Sequence, residues 1–198
     1  MKPIVIGITG SIASGKSSFT EALASLGIRT LSSDKIVFDI CQKDRAGYKA
    51  LKELKIPDLI DKDKELNKTL LRELVFNNED IRRKVEEKLH PLVIDEFKKT
   101  ISSLKDKEIL AIEIPLLFEA KAENLCDYTV VVHRDLSKII NSIVDRYKTI
   151  KIQAEKMLKT QFSAGEKILR SNIVILNDSD IKTLKLKAST LLEFISTK

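Results

Sequence analysis

The chain has 198 residues, of which 43% are hydrophobic and 32% are charged, and its mean hydropathy is close to zero. This composition indicates one globular domain with room for a small insertion and excludes disordered and membrane-embedded classes. The net charge of +6 fits an anionic small molecule as well as nucleic acid. Because acidic residues alternate with the basic ones, for example over Asp80–Lys88, we expect no nucleic-acid partner.

No segment predicts export or membrane insertion. The longest apolar runs, such as Ile109–Ile112 and Val130–Val132, are far shorter than the ~20 residues that a membrane helix needs. The apolar stretch after the N-terminus is too short for a signal-peptide core. Cys41 and Cys126 are far apart and lack metal-ligand neighbours, so we expect reduced, buried thiols in a cytoplasmic protein.

In chain order, apolar runs bounded by turn residues alternate with amphipathic stretches, which is typical of a parallel sheet with crossover helices. The predicted strands are Ile4–Thr9, Arg29–Leu31, Glu108–Ile114, Tyr128–His133 and Asn172–Leu176. Helices are predicted after the first, second, fourth and fifth strands. The sequence therefore predicts an α/β fold.

The strand pattern disappears between about residues 45 and 105, which predicts a helical insertion. Apolar residues recur there at three- and four-residue spacing in Leu66–Phe76, Glu79–Lys88 and Pro91–Leu104. Proline disfavours the helical conformation in the residue that precedes it, so one helix is expected to end near Leu89 and the next to begin at Pro91. The polar segment Tyr147–Lys159 is expected to be mobile.

The segment Gly10–Ser17 reads G-S-I-A-S-G-K-S and satisfies the phosphate-loop pattern G-x-x-x-x-G-K-[ST]. It follows the first strand and precedes an amphipathic helix predicted at Lys16–Leu26, as such a loop requires. Lys16 is expected to reach the β- and γ-phosphates, and the Ser17 hydroxyl to bind Mg²⁺. The predicted ATP-binding residues are Ser11, Ile12, Ala13, Ser14, Gly15, Lys16, Ser17 and Ser18.

The loop alone does not name the reaction, because switch GTPases, transport ATPases and small-molecule kinases share it. A GTPase would carry Asn-Lys-x-Asp after a late strand, and the segment Asn177–Asp180 lacks the lysine. The Leu-Ser-Gly-Gly segment of transport ATPases is also absent from the sequence. The motif therefore predicts nucleotide binding, and other residues must discriminate among the reactions.

Asp34 and Glu113, near the predicted ligand edge, and Arg146, in or beside the polar segment, each have a functional and a structural interpretation. Asp34 follows the second strand and could accept the proton of an attacking hydroxyl or hold a metal ion, or it could cap the next helix. Glu113 could bind metal through water or form a salt bridge at the strand end. Arg146 could stabilise developing phosphoryl charge from a lid, but the pattern alone favours an exposed helical arginine.

Over nearly its whole length, the chain resembles the dephospho-coenzyme A kinase family. The resemblance rests on Gly7–Ser17, Asp34, Leu71–Phe76, Leu89–Leu92, Ile114–Glu119, Gln161, Lys167 and Asn177. It implies that ATP phosphorylates the ribose 3′-hydroxyl of dephospho-coenzyme A, the last step of coenzyme A synthesis. The implied partners are these two substrates with Mg²⁺ as cofactor, and the implied state is a monomer or weak homo-oligomer.

The resemblance also implies a division of labour along the chain. A P-loop core over residues 1–44 and 106–198 would bind ATP, residues 45–105 would hold the acceptor, and a lid at about 146–160 would close over the phosphates. The catalytic residues would be Asp34, Lys16 and Arg146, and the metal ligands Ser17 and Asp34. The acceptor would be bound by Arg72, His90, Pro91, Leu116, Leu117 and Phe118. Without the family, His90 beside a proline is interpreted as a capping or packing histidine.

The chain departs from the family pattern at several positions. Ser32 replaces the first acid of Asp-x-Asp, Phe38 and Ser142 replace common arginines, and Ser11 and Ala13 replace loop glycines. Two alternatives stay open, the first because of Ser32, Phe38 and Ser142 and the second because kinases of this fold share the core and differ at the acceptor site. One is a nucleotide-binding regulatory protein that has lost catalysis, and the other is a kinase for a different nucleotide-like acceptor.

Overall fold

The structure is a computed structural model that describes residues 2–197. Contacts within this range divide the chain into two compact units. The core unit runs up to Ser32 and resumes at Leu104, and the helical unit covers Ser33–Ser103. The helical unit begins before the predicted boundary at residue 45, because the helix that follows the second strand packs against the helices of the insertion.

The strands are β1 (Ile4–Thr9), β2 (Arg29–Ser32), β3 (Ile109–Glu113), β4 (Tyr128–His133) and β5 (Ile173–Leu176). The helices are α1 (Lys16–Ser25), α2 (Ser33–Ile40), α3 (Ala46–Lys52), α4 (Lys68–Asn77), α5 (Glu79–Ser102), α6 (Leu136–Tyr147), α7 (Lys151–Leu158), α8 (Ala164–Arg170) and α9 (Ile181–Ser196), with a short 3-10 helix at Glu123–Leu125.

Within residues 2–197 the core unit forms a five-stranded sheet in the order β2-β3-β1-β4-β5. Every neighbouring pair of strands is parallel. The central strands β1, β3 and β4 are almost entirely buried, as expected of apolar strands covered by helices. The predicted α/β fold is confirmed, and each predicted strand end lies within one residue of the observed one.

The first helix is fixed by apolar packing against the sheet and the last helix. Phe19 and Leu23 of α1 share a buried cluster with Leu184, Leu191 and Ile195 of α9. Burial of each such side chain contributes about 1.5–3 kcal/mol. Because α1 begins at the end of the phosphate loop, this packing also holds the loop in place.

The predicted lid segment is largely helical. It contains α7, and Ala154 of α7 is fully buried in a cluster with Ile139, Ile140 and Ile143 of α6. Lys148 lies between the two helices in the left-handed conformation, with φ of 50°, so the chain turns sharply there. Although the segment is polar overall, Ala154, Met157 and Leu158 give α7 an apolar face that packs against α6.

The helical unit consists of α2 to α5, joined between α3 and α4 by an irregular segment with an isolated bridge between Ile60 and Leu66. Asn67 caps α4 by accepting a hydrogen bond from the Leu70 N–H, and Asn78 caps α5 in the same way from Ile81. These caps satisfy backbone donors that the first helical turn leaves unpaired. The helical character predicted for this stretch is observed.

The prediction of a helix boundary at Pro91 is wrong, because α5 continues through it from Glu79 to Ser102. Pro91 is exposed, so water can solvate the carbonyl that loses its N–H partner. Meanwhile Leu89, Val93 and Phe97 form a buried stripe at four-residue spacing that crosses the proline. Continuous burial of this stripe outweighs the local preference of proline for a helix start.

Both cysteines are free thiols, and their burial raises the pKa of Cys41 to about 11 and that of Cys126 to about 12. Cys41 is buried as expected, whereas Cys126 is partly exposed. Within residues 2–197, no helix combines the length and apolar character needed to cross a membrane.

Candidate active site

The phosphate loop connects β1 to α1 at the carboxyl edge of the sheet, as predicted. Two of its positions have no room for a side chain. A Cβ atom on Gly10 would lie 2.3 Å from the Val132 carbonyl oxygen, and one on Gly15 would lie 2.0 Å from Nδ2 of Asn177. Both glycines have positive φ, 150° and 93°, which L-residues rarely adopt. The Val132 carbonyl and the Asn177 side chain therefore require glycine at these two loop positions.

Side chains from distant parts of the core unit hold the loop backbone. The Asn177 amide donates to the Ser14 carbonyl at 2.9 Å, and the Ile12 N–H donates to Gln161 Oε1 at 3.2 Å. Ile12 and Ala13 also pack against the cluster of α6 and α7. The resemblance included Gln161 and Asn177, but only the structure gives each of them a contact.

The ammonium group of Lys16 lies inside the loop. It donates to the carbonyl oxygens of Gly10 at 3.0 Å and Ser11 at 2.8 Å, and the side chain is buried. Within residues 2–197, Oγ of Ser14 is buried without a hydrogen-bond partner. Because a buried polar atom is normally satisfied, this hydroxyl is a candidate hydrogen-bond donor to a ligand of the loop.

The end of β3 places a carboxylate beside the start of α1. The Ser17 hydroxyl donates to Glu113 Oε1 at 2.9 Å, and Glu113 is 6% exposed. Glu113 therefore contacts the predicted metal ligand, and the alternative of a strand-end salt bridge is not found within the described range. Ser32 of β2 is the register partner of Glu113, so the position at which the family usually has an acid neighbours this carboxylate.

A metal site in this arrangement would have few protein ligands. Among residues 2–197 no three acidic, histidine or cysteine side chains cluster as a metal cage. Nucleotide-bound Mg²⁺ usually needs only one or two protein oxygens in addition to phosphates and waters. The hydroxyl of Ser17 and the nearby oxygens of Glu113 fit that requirement.

The turn after β3 is fixed by a buried ion pair. Lys167 of α8 is fully buried, lies 3.1 Å from Glu119 Oε1 and donates to the Pro115 carbonyl at 2.7 Å. The Phe162 N–H donates to the same Glu119 oxygen, and the Thr9 hydroxyl donates to Pro115. Burial lowers the pKa of the Lys167 ammonium, and the Glu119 carboxylate opposes that shift.

The predicted acceptor residues of this turn differ in exposure. Leu117 and Phe118 are buried in the core unit, whereas Leu116 is partly exposed. A buried apolar side chain shapes the turn, and only the partly exposed one has surface left for a ligand.

The remaining predicted site residues lie in the helical unit, except for Arg146. Asp34 is the second residue of α2 and is exposed, so the N-cap interpretation does not describe it. Arg72 is exposed on α4, whereas His90 is partly buried and Pro91 exposed in the middle of α5. The capping alternative for His90 is therefore wrong, since α5 does not end there.

Arg146 occupies the last turn of α6 in the core unit. Its side chain is exposed, and its guanidinium carbon lies 5.5 Å from the centre of the Tyr147 ring. A cation at this helix end also interacts favourably with the helix dipole.

Comparison with known proteins identifies the family. The family model described as dephospho-CoA kinase matches residues 4–183. This chain belongs to the dephospho-CoA kinase family. A family member from Fusobacterium nucleatum is 34% identical over 195 residues, which cover 98% of this chain and all of that protein. The resemblance seen in the sequence is confirmed.

Solved structures agree with the fold. The dephospho-CoA kinase from Campylobacter jejuni has a TM-score of 0.72 and 27% identity, with 98% of each chain covered. A crystal structure of a Thermus thermophilus protein has a TM-score of 0.80 with the same identity and coverage.

The close approach at Gly15 generates a prediction for nucleotide binding. Gly15→Ala is expected to weaken ATP binding by at least about tenfold, because the left-handed conformation alone costs an L-residue about 1–2 kcal/mol and the new Cβ collides with Asn177. Isothermal titration with ATP measures the loss. Gly165→Ala, where the nearest atom is 4.0 Å away, is the matched control and should bind ATP normally. Normal binding by Gly15→Ala would contradict the loop geometry.

Proposed function

We propose that this protein transfers the γ-phosphate of ATP to the ribose 3′-hydroxyl of dephospho-coenzyme A. The observation that carries the proposal is a complete phosphate loop, with its lysine inside the loop and an unpaired buried hydroxyl, in a chain that matches the dephospho-CoA kinase family over residues 4–183. The loop supports the binding of ATP, and the family match supports dephospho-coenzyme A as the acceptor.

Nucleotide binding follows from the loop and the start of α1. Backbone N–H groups there present a partial positive charge to the β- and γ-phosphates. The Lys16 ammonium adds a full charge next to them, and Oγ of Ser14 offers a hydrogen bond. Because the loop is held by β4, β5 and Gln161, these donors need little reorganisation when the phosphates bind.

For the metal we propose Mg²⁺, held by the Ser17 hydroxyl and, through water, by Glu113 or Asp34. Bound there, Mg²⁺ would neutralise charge on the phosphate oxygens. Glu113 holds the Ser17 hydroxyl in place by accepting a hydrogen bond from it.

For the acceptor we propose that Asp34 removes the proton of the attacking hydroxyl. Its position directly after β2 and its exposure support this role, and Ser32 leaves it as the single acid of the usual pair. Arg72, His90, Pro91 and Leu116 would bind the acceptor, and the buried Leu117 and Phe118 would shape the turn that presents Leu116. Arg146 would stabilise charge that develops on the transferred phosphoryl group.

The reaction is tested by measuring ADP release from ATP with and without dephospho-coenzyme A, in buffer with Mg²⁺ and after chelation. We expect release that requires both the acceptor and Mg²⁺. Adenosine and AMP serve as comparison acceptors. Release with one of these but not with dephospho-coenzyme A would favour a different acceptor, and ATP binding without release would favour the regulatory alternative.

The role of Asp34 is tested by a nearly isosteric change. Asp34→Asn cannot accept the proton, so kcat should fall by about 10²–10⁴ while ATP affinity changes little. Asp39→Asn, in the same helix α2, is the control and should keep wild-type turnover. Single-turnover ADP formation measures the effect, and thermal unfolding shows whether the variant is folded. A fully active Asp34→Asn protein would remove Asp34 from the mechanism.

A further inference from the structure

Arg134 lies directly after β4, at the edge of the sheet that carries the phosphate loop. Thr9 and Val131 are register partners, and the next β4 residue, Val132, presents its carbonyl oxygen to Gly10. The backbone carbonyl oxygen of His133 accepts a hydrogen bond from the Asn177 backbone N–H at 2.7 Å. Arg134 therefore directly follows the end of β4 that contacts the phosphate loop.

The guanidinium of Arg134 is poorly satisfied by the protein. Its NH1 donates to the Ser142 hydroxyl at 3.1 Å. Its Nε is buried and has no hydrogen-bond partner within residues 2–197, and no carboxylate in that range forms an ion pair with Arg134. Arginine carries five N–H donors and a permanent charge. A partly buried guanidinium with a single neutral contact is well suited to an anionic ligand.

The contact with Ser142 brings this charge to the helix that borders the loop. Ser142 and Arg146 are four residues apart on α6, so they lie on the same helix face, separated by about 6 Å along the axis. The buried residues of α6 pack against Ile12 and Ala13 of the loop. One side of α6 thus contacts the loop, and Arg134, which precedes α6, places its guanidinium against Ser142 of this helix.

We propose that Arg134 is a phosphate-binding residue of this kinase, which contacts the γ-phosphate of ATP and stabilises its charge during transfer. Ser142 is the positioning residue that orients the guanidinium. This inference rests on the proposed phosphoryl transfer and adds a cation to the predicted Lys16 and Arg146. The chemistry of the side chain fits this assignment, since a planar guanidinium can bind a phosphate with two parallel hydrogen bonds.

The test compares Arg134→Ala, Arg134→Lys and Ser142→Ala with the wild-type protein. We expect Arg134→Ala to lower kcat about 10²-fold and to weaken ATP binding more than ADP binding, with little change in the melting temperature. Arg134→Lys should recover part of the loss, because lysine keeps the positive charge but lacks the paired N–H donors of the guanidinium. Ser142→Ala should lower kcat by less than about tenfold, since it removes one neutral hydrogen bond.

The matched control is Arg29→Ala, which removes the same charge from an exposed residue at the amino end of β2 and should leave kcat within about twofold of wild type. Wild-type kcat and ATP affinity in Arg134→Ala would overturn the inference. So would an equal loss in Arg134→Lys accompanied by a lower melting temperature, which would mark a structural role. If the wild-type protein does not phosphorylate dephospho-coenzyme A, the proposed function fails, while the ATP and ADP titrations still decide the role of Arg134.

Discussion

The site depends on the close approach of the phosphate loop to the ends of β4 and β5. A side chain at Gly10 or Gly15 would collide with the Val132 carbonyl or with Asn177, so the backbone itself fills the space between the two strand ends. Asn177 then binds the Ser14 carbonyl. A loop held in this way presents its N–H groups in a fixed arrangement, which is what stabilisation of phosphate charge requires.

A second constraint acts on the turn after β3. Fully buried Lys167 is paired with Glu119 and bound to the Pro115 carbonyl. Removing one partner of such a pair would leave a buried charge unpaired, which usually costs about 3–5 kcal/mol. The pair joins α8 to the turn that follows β3, and Thr9 at the end of β1 binds the same carbonyl. The segments around the loop are therefore fixed by polar contacts as well as by apolar packing.

The sequence predicted the strands well because buried parallel strands are continuous apolar runs. It predicted the loop because the glycines and Lys16 form one short contiguous motif. It failed at Pro91, where a local rule was outweighed by the buried stripe of α5 that includes Val93. The contacts of Gln161 with Ile12 and of Arg134 with Ser142 could not be predicted. These contacts form only after the helices pack, and neither hydrophobic periodicity nor a sequence motif predicts them.

The central claim is that this scaffold directs the phosphate to one oxygen of one acceptor. The most direct measurement is to incubate the protein with ATP, Mg²⁺ and dephospho-coenzyme A and to identify the product by chromatography against authentic coenzyme A and by phosphorus NMR. The account predicts a product that co-elutes with coenzyme A and carries the new phosphate on the ribose 3′-oxygen. A phosphate on another oxygen, or no phosphorylated product from an enzyme preparation that binds ATP, would contradict it.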